Sequence, residues 1–211
     1  MSFIVEQIIN EPIDSNCYVV YTLNHKGCLI IDPGTEDCVR IFNFLEVKDL
    51  CPEYIFLTHE HFDHIWGVNR LKERYQCPII CSSLCSVKLI NRKKNMSVFY
   101  DQIGFETYPS DIHTEQYDHG LWWNNHHLKF IYTFGHTDCS VSLNIANSIF
   151  VGDLMIKGHK TVTKLPTGSK ASLYESLNYI IESYDREKTK IYPGHGQPFM
   201  LNEVNIEQFI Q

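Results

Sequence analysis

Nowhere in the 211 residues do about 18 apolar side chains run together, and Met1-Ser2-Phe3-Ile4-Val5-Glu6-Gln7 offers no basic segment followed by an apolar one. The expectation is a chain that is neither exported nor membrane-spanning, and so cytoplasmic. Long runs of Lys or Arg are missing too. With a formal net charge of −7 and a pI of about 5.8, the chain has no electrostatic footprint for a nucleic-acid backbone. The short basic run Arg92-Lys93-Lys94 fits a solvated helix end, with contact to an anionic substrate as the alternative. No repeat, low-complexity linker or charge-block boundary divides the sequence, which predicts a single domain over 1–211. The partner left by these absences is a small-molecule substrate, with no nucleic acid and no membrane. Oligomeric state is not encoded in any feature of the sequence.

A hydrophobic fraction of 44%, a charged fraction of 20% and 13% aromatic residues describe a globular protein with a sizeable core. The eight cysteines (17, 28, 38, 51, 77, 81, 85 and 139) stand in a chain too long for a small disulfide scaffold, which predicts reduced, mostly buried thiols. Cys77, Cys81 and Cys85 are four residues apart, but Pro78 and Ile79-Ile80 put Cys77 before a strand and off any shared helix face.

Strands are predicted at 3–9, 16–22 and 28–31, with Gly27 turning the chain and Asp32-Pro33-Gly34 forming the next turn. A helix should occupy 36–47, where Val39, Phe42, Phe44 and Leu45 approximate helical spacing, and the apolar run 54–57 should be a buried strand. Beyond a polar loop at 58–62, a helix follows to Tyr75, then a strand at 78–81 and a helix at 83–91. The segment 92–110 has no clear periodicity and, with Phe99, Tyr100, Phe105 and Tyr108, is either a lid over a site or a plain surface loop. Strands are predicted around 112–117, 126–133, 140–145, 148–151 and 189–192, a helix at 171–184 and a short terminal helix. Mixed strands with helices in both halves suit an α/β (α+β) architecture of two sheets packed face to face with helices outside.

The densest chemistry is Thr58-His59-Glu60-His61-Phe62-Asp63-His64, directly after the strand at 54–57. Imidazoles and a carboxylate are ligands for zinc or iron, and a loop leaving a strand can turn all four toward one point, as a regular helix could not. Asp63 and His64 should open the next helix, where the dipole favours a carboxylate. Three further donors each follow a strand-like segment: His136 after 130–134, Asp153 after 149–151 and His195 after 190–192. The rim where strands end is where sites are built.

In these motifs the sequence resembles the metallo-β-lactamase superfamily, and within it the glyoxalase II-like hydrolases. The His-x-His-x-Asp-His motif stands at 59–64, Gly135-His136-Thr137 matches Gly-His-Thr, Gly152-Asp153 matches Gly-Asp, and Pro193-Gly194-His195-Gly196 matches Pro-Gly-His-Gly. Ile31-Asp32-Pro33-Gly34 resembles the early turn of the family, in which the aspartate orients a ligand histidine. The resemblance spans roughly residues 3–200 and implies a four-layer αββα sandwich. It also implies that His59, His61 and His136 hold one metal ion, that Asp63, His64 and His195 hold a second, and that Asp153 bridges them. The implied cofactors are two divalent ions, zinc first, with iron or manganese as alternatives. The implied activity is hydrolysis of a thioester, ester or lactone by hydroxide formed between the two ions, with Asp63 and Asp153 as the catalytic carboxylates.

The alternative within the family is an oxidoreductase resembling persulfide dioxygenases, with a single iron. A flavodiiron role is disfavoured because His61 stands where those proteins carry Glu, and Glu60 lies in the variable position before it. The bridging Asp153 argues against a true β-lactamase. The chain continues only 16 residues past His195, short of the helical region that gives classical glyoxalase II its glutathione contacts. Where small relatives carry Gly-Arg-Thr-Asp-Leu-Pro-Gly, this sequence has Thr161-Val162-Thr163-Lys164-Leu165-Pro166-Thr167-Gly168. Lys157, Lys160 or Lys164 is then available to an anionic substrate group. His25, His113, His119, His126, His127 and His159 match no motif and are assigned to surface or core.

Overall fold

The structure, a computed structural model, describes residues 2–210, which form two compact units, one through Gln116 and one from Tyr117. Each unit is built on a six-stranded mixed sheet whose strands lie in sequence order.

In the first unit β1 (Ile4–Ile9), β2 (Asn16–Thr22) and β3 (His25–Ile31) are antiparallel, and β3, β4 (Cys51–Phe56), β5 (Ile79–Cys81) and β6 (Ile112–His113) run parallel. Parallel neighbours need crossovers, supplied here by α1 (Val39–Lys48), by α2 (Phe62–Ile65) with α3 (Val68–Tyr75), and by α4 (Ser83–Leu89) with α5 (Val98–Asp101). Strand β2 is buried along its whole length and β3 over its last five residues, as a strand covered on both faces should be. Gly27 does not turn the chain: Leu23-Asn24 make the hairpin and Gly27 lies inside β3. A Cβ there would stand 2.2 Å from the Glu53 carboxylate, so the missing side chain serves close strand packing. Helix α1 starts at Val39, three residues later than expected, because Cys38 adopts a left-handed conformation.

In the second unit β7 (Leu121–Trp123), β8 (His126–Tyr132), β9 (Val141–Ile145) and β10 (Ser148–Gly152) are antiparallel, β11 (Lys190–Pro193) is parallel to β10, and β12 (Phe199–Met200) closes the edge. The single long crossover is α6 (Lys170–Ser183), capped where Ser169 accepts from the backbone N–H of Ser172. Its Leu173, Leu177 and Ile180 pack into a core with Ile149 and Ile191, each such side chain contributing roughly 1.5–3 kcal/mol by leaving water. Strand β7 and edge strand β12 were not predicted. The expected strand at 112–117 is two residues followed by a 3₁₀ turn at Thr114–Gln116, and the expected terminal helix is two 3₁₀ turns at Leu201–Glu203 and Ile206–Gln208.

Among the described residues none of the eight cysteines is in a disulfide, and all but Cys51 are buried. Burial pushes the Cys77 thiol up to about 11 and the Cys38 thiol up to about 12, which disfavours the thiolate that would bind a metal. Cys77 precedes β5, Cys81 ends it and Cys85 belongs to α4, so the three share no helix face. Among the described residues no helix is long and apolar enough to cross a membrane.

Candidate metal centre

Strand direction decides where the donors lie. In the first unit β3, β4 and β5 point the same way, so the loops leaving their carboxyl ends share one edge of the sheet, where open α/β sheets place their sites. The β3 loop brings Asp32 to that edge and the β4 loop brings residues 58–64. Gly34 lets the two loops meet, because a Cβ there would fall 1.6 Å from the Asp63 carbonyl oxygen. Asp32 itself has φ 51°, a left-handed conformation that aspartate tolerates better than most residues, and it is buried.

Asp32 organises the motif. Its Oδ1 accepts from the Thr58 N–H at 2.8 Å, and its Oδ2 accepts from the Thr58 hydroxyl at 2.6 Å and faces His64 Nδ1 at 3.1 Å. A carboxylate can only accept, so His64 carries its proton on Nδ1 and presents the Nε2 lone pair. The Thr58 hydroxyl, having given its proton to Asp32, accepts from His59 Nδ1 at 2.9 Å, which makes Nε2 the lone-pair nitrogen of His59 as well. Asp32, His59 and His64 place ligand atoms within 4.8 Å of one another, and the His59 ring centroid lies 4.8 Å from that of His61 and 4.3 Å from that of His64. Asp63 opens α2 as expected, with Oδ2 3.6 Å from His64 Nε2.

The second unit repeats the logic. Strands β8, β10 and β11 share one direction, and the loops after them carry His136, Asp153 and His195. Gly135 has φ +142° and sits so close to α6 that a Cβ would lie 2.5 Å from the Leu173 Cα, so this loop can pass only as glycine. His136 Nδ1 faces the Val162 carbonyl oxygen at 2.8 Å, and a carbonyl can only accept, so here too Nε2 is the lone-pair nitrogen. The Gly194 N–H donates to the Gly152 carbonyl at 2.7 Å, tying the β11 loop to the β10 loop. Asp153 Oδ2 then stands 3.6 Å from His136 Nε2 and 3.6 Å from His195 Nε2.

These distances test whether a metal ion fits. For His64 and His136 the Nε2 lone pair and the carboxylate oxygen are both acceptors, held side by side at 3.6 Å with no proton to share, which is too long for a hydrogen bond. Two ligand atoms about 2.1 Å from a tetrahedral ion lie about 3.4 Å apart, so the spacing is that of a coordination edge. The donor types and these spacings suit divalent cations.

A cavity of about 370 Å³ in the second unit is lined by His136, Asp153 and His195 together with Ile156, His159, Lys160 and Val162. His159 is exposed, the surface residue expected, and it also lines this cavity, for which the sequence carried no signal beyond proximity to Asp153. Of the three lysines considered, Lys160 lines the cavity and donates to the Ile210 carbonyl, while Lys157 is engaged by Glu203. The segment 92–110 folds against the motif of its own unit: Tyr100 stacks on Phe62 at 5.0 Å and Phe105 on Trp66 at 5.3 Å.

Imidazoles and carboxylates gathered at the carboxyl edges of mixed sheets define a candidate metal-binding protein. Residues 10–195 match the profile of the metallo-beta-lactamase superfamily, and the chain belongs to that superfamily. It is 30% identical over 202 residues to the probable metallo-hydrolase YqgX of Bacillus subtilis, covering 94% of this chain and 93% of that one. It is 30% identical over 193 residues to hydroxyacylglutathione hydrolase 1 of Vibrio vulnificus, covering 92% of this chain and 66% of that one. Among solved structures, BLEG-1 B3 metallo-beta-lactamase superposes with a TM-score of 0.87 at 27% identity, covering 95% of each chain.

Proposed function

We propose that this protein is a dinuclear metallo-hydrolase of a thioester, ester or lactone, with the His/Asp sets of the two units acting as one centre in a single domain over 1–211. His59, His61 and His136 take one ion, Asp63, His64 and His195 the other, and Asp153 is common to both. The observation that carries this reading is the 3.6 Å spacing of Asp153 Oδ2 from both His136 Nε2 and His195 Nε2, one carboxylate oxygen between imidazoles assigned to different ions. Two divalent ions, zinc by ligand type with iron or manganese as alternatives, supply Lewis acidity and a lowered pKa for water. Asp32, Thr58 and the Val162 carbonyl hold three imidazoles with Nε2 presented, and Asp63 and Asp153 neutralise charge. His159 and Lys160 supply donors for an anionic group on the substrate, in keeping with the hydroxyacylglutathione hydrolase among the relatives. Cysteines outside any disulfide suit a reducing compartment, and we place the protein in the cytoplasm.

The test is a substrate panel run on protein with its metal content measured: thioesters, esters and lactones, each with and without a carboxylate, plus a β-lactam, included because BLEG-1 is similar over 95% of the chain. Turnover is expected of an ester, thioester or lactone, faster for the anionic members. Turnover of the β-lactam alone would replace this substrate class, and one iron per chain with oxygen consumption would replace hydrolysis by oxidative chemistry.

Asp63→Ala and His64→Ala test the division of ligands. Each should lower metal content from about two ions per chain to about one, because His59, His61 and His136 remain as a set of three. Elemental analysis that still finds two ions in both variants refutes the assignment.

A further inference from the structure

Glu60 stands between His59 and His61 and belongs to neither ligand set. Its side chain is only 3% exposed, and its Oε1 accepts from Lys88 Nζ at 2.7 Å, with the lysine side chain 6% exposed. Lys88 comes from the last turn of α4, a helix tied down by the Ser82 cap, by buried Cys85 and Leu89, and by Ser86 Oγ, which accepts from the Ser110 N–H at 3.0 Å. Taking both charges out of water costs about what their attraction returns, so a buried pair like this adds little net stability and its value lies in geometry. That geometry is specific here. On a loop, the backbone angles of the middle residue set where both flanking side chains point, and the middle residue of His59-Glu60-His61 is anchored to a helix. The anchor also occupies a carboxylate that is one residue from two imidazoles and is itself a competent metal ligand.

We propose that Lys88 is a positioning residue for the metal centre: by holding Glu60 it fixes the backbone between His59 and His61 so that both imidazoles reach one ion, and it keeps the Glu60 carboxylate out of the ligand set. This rests on the reading that His59 and His61 hold a metal ion.

The test compares zinc-loaded wild type, Lys88→Arg, Lys88→Met and the double variant Glu60→Leu/Lys88→Met. Two quantities are measured: the rate of zinc release to a chelator, and the rise in melting temperature that zinc produces over the metal-free form. Lys88→Met and the double variant should release zinc about tenfold faster and show a smaller zinc-induced rise, while Lys88→Arg stays near wild type, the scale typical of losing an outer partner of a metal ligand. A merely structural pair would lower the melting temperature of metal-free and zinc-loaded forms together and leave their difference unchanged. The double variant buries no charge and keeps the test open if Lys88→Met does not fold. Wild-type release and a wild-type zinc-induced rise in the folded double variant overturn the positioning role. A wild-type protein that binds neither zinc, iron nor manganese overturns the reading beneath it.

Discussion

Asp153→Ala should reduce hydrolysis by at least about a hundredfold, more than loss of any single histidine. Asp153 is the one donor assigned to both ions, and its Oδ2 lies 3.6 Å from His136 Nε2 and from His195 Nε2. With Asp153 bridging as proposed, its removal would take one ligand from each ion and the negative charge that would let two cations sit close together. The ions would then be held less tightly, and the lowered pKa of water that they would supply would be lost. The residue sits in the loop after β10 and outside the hydrophobic core, so the protein should stay folded. Circular dichroism confirms the fold and initial rates measure the loss. Full turnover by a folded Asp153→Ala protein would sink the bridged two-metal mechanism in favour of single-metal chemistry.

Asp32→Ala should damage both stability and metal binding without touching any ion. The Asp32 carboxylate accepts from the Thr58 N–H and the Thr58 hydroxyl and faces His64 Nδ1, all in a buried setting. Alanine leaves those donors stranded, at about 1–3 kcal/mol for each buried group without a partner. A total loss of about 3 kcal/mol or more lowers the melting temperature of a chain this size by roughly 6–12 °C. The same change frees the Thr58 hydroxyl and the His64 ring to rotate, so the Nε2 lone pairs of His59 and His64 are no longer held, and metal affinity should fall about 10–100-fold. Asp32→Asn weights the two effects differently: its amide oxygen can still accept from the Thr58 N–H, while its NH₂, standing where Oδ2 meets the Thr58 hydroxyl and His64 Nδ1, favours the wrong tautomer. Calorimetry and metal titration of the two variants are the measurements. A metal affinity unchanged in Asp32→Ala would show that Asp32 serves folding alone.

The sequence by itself determined the strand-end motifs, because their chemistry is local. Three imidazoles and a carboxylate within residues 59–64, behind an apolar strand, require only that the strand end there, and β4 does end at Phe56. The core helix α6 was legible from Leu173, Leu177 and Ile180 at helical spacing, and the superfamily from motifs in the right order. Strand β7 was missed although Asn124 and Asn125, both at positive φ, are residues suited to a two-residue hairpin turn; Trp122-Trp123 is simply too short to show an alternation. Strand β12, two residues long, exists only because it pairs with β11. Tertiary structure alone decided which imidazole nitrogen is presented, since the partners that settle it are a carboxylate 32 residues from His64 and a backbone carbonyl 26 residues from His136. It alone paired Glu60 with Lys88 across 28 residues, and turned His159 and Lys160 into the cavity that Asp153 lines. Hydrogen bonds and ion pairs between residues distant in the chain leave no periodicity to find, because they depend on where the backbone has already brought two side chains, and only the folded sheets bring them there.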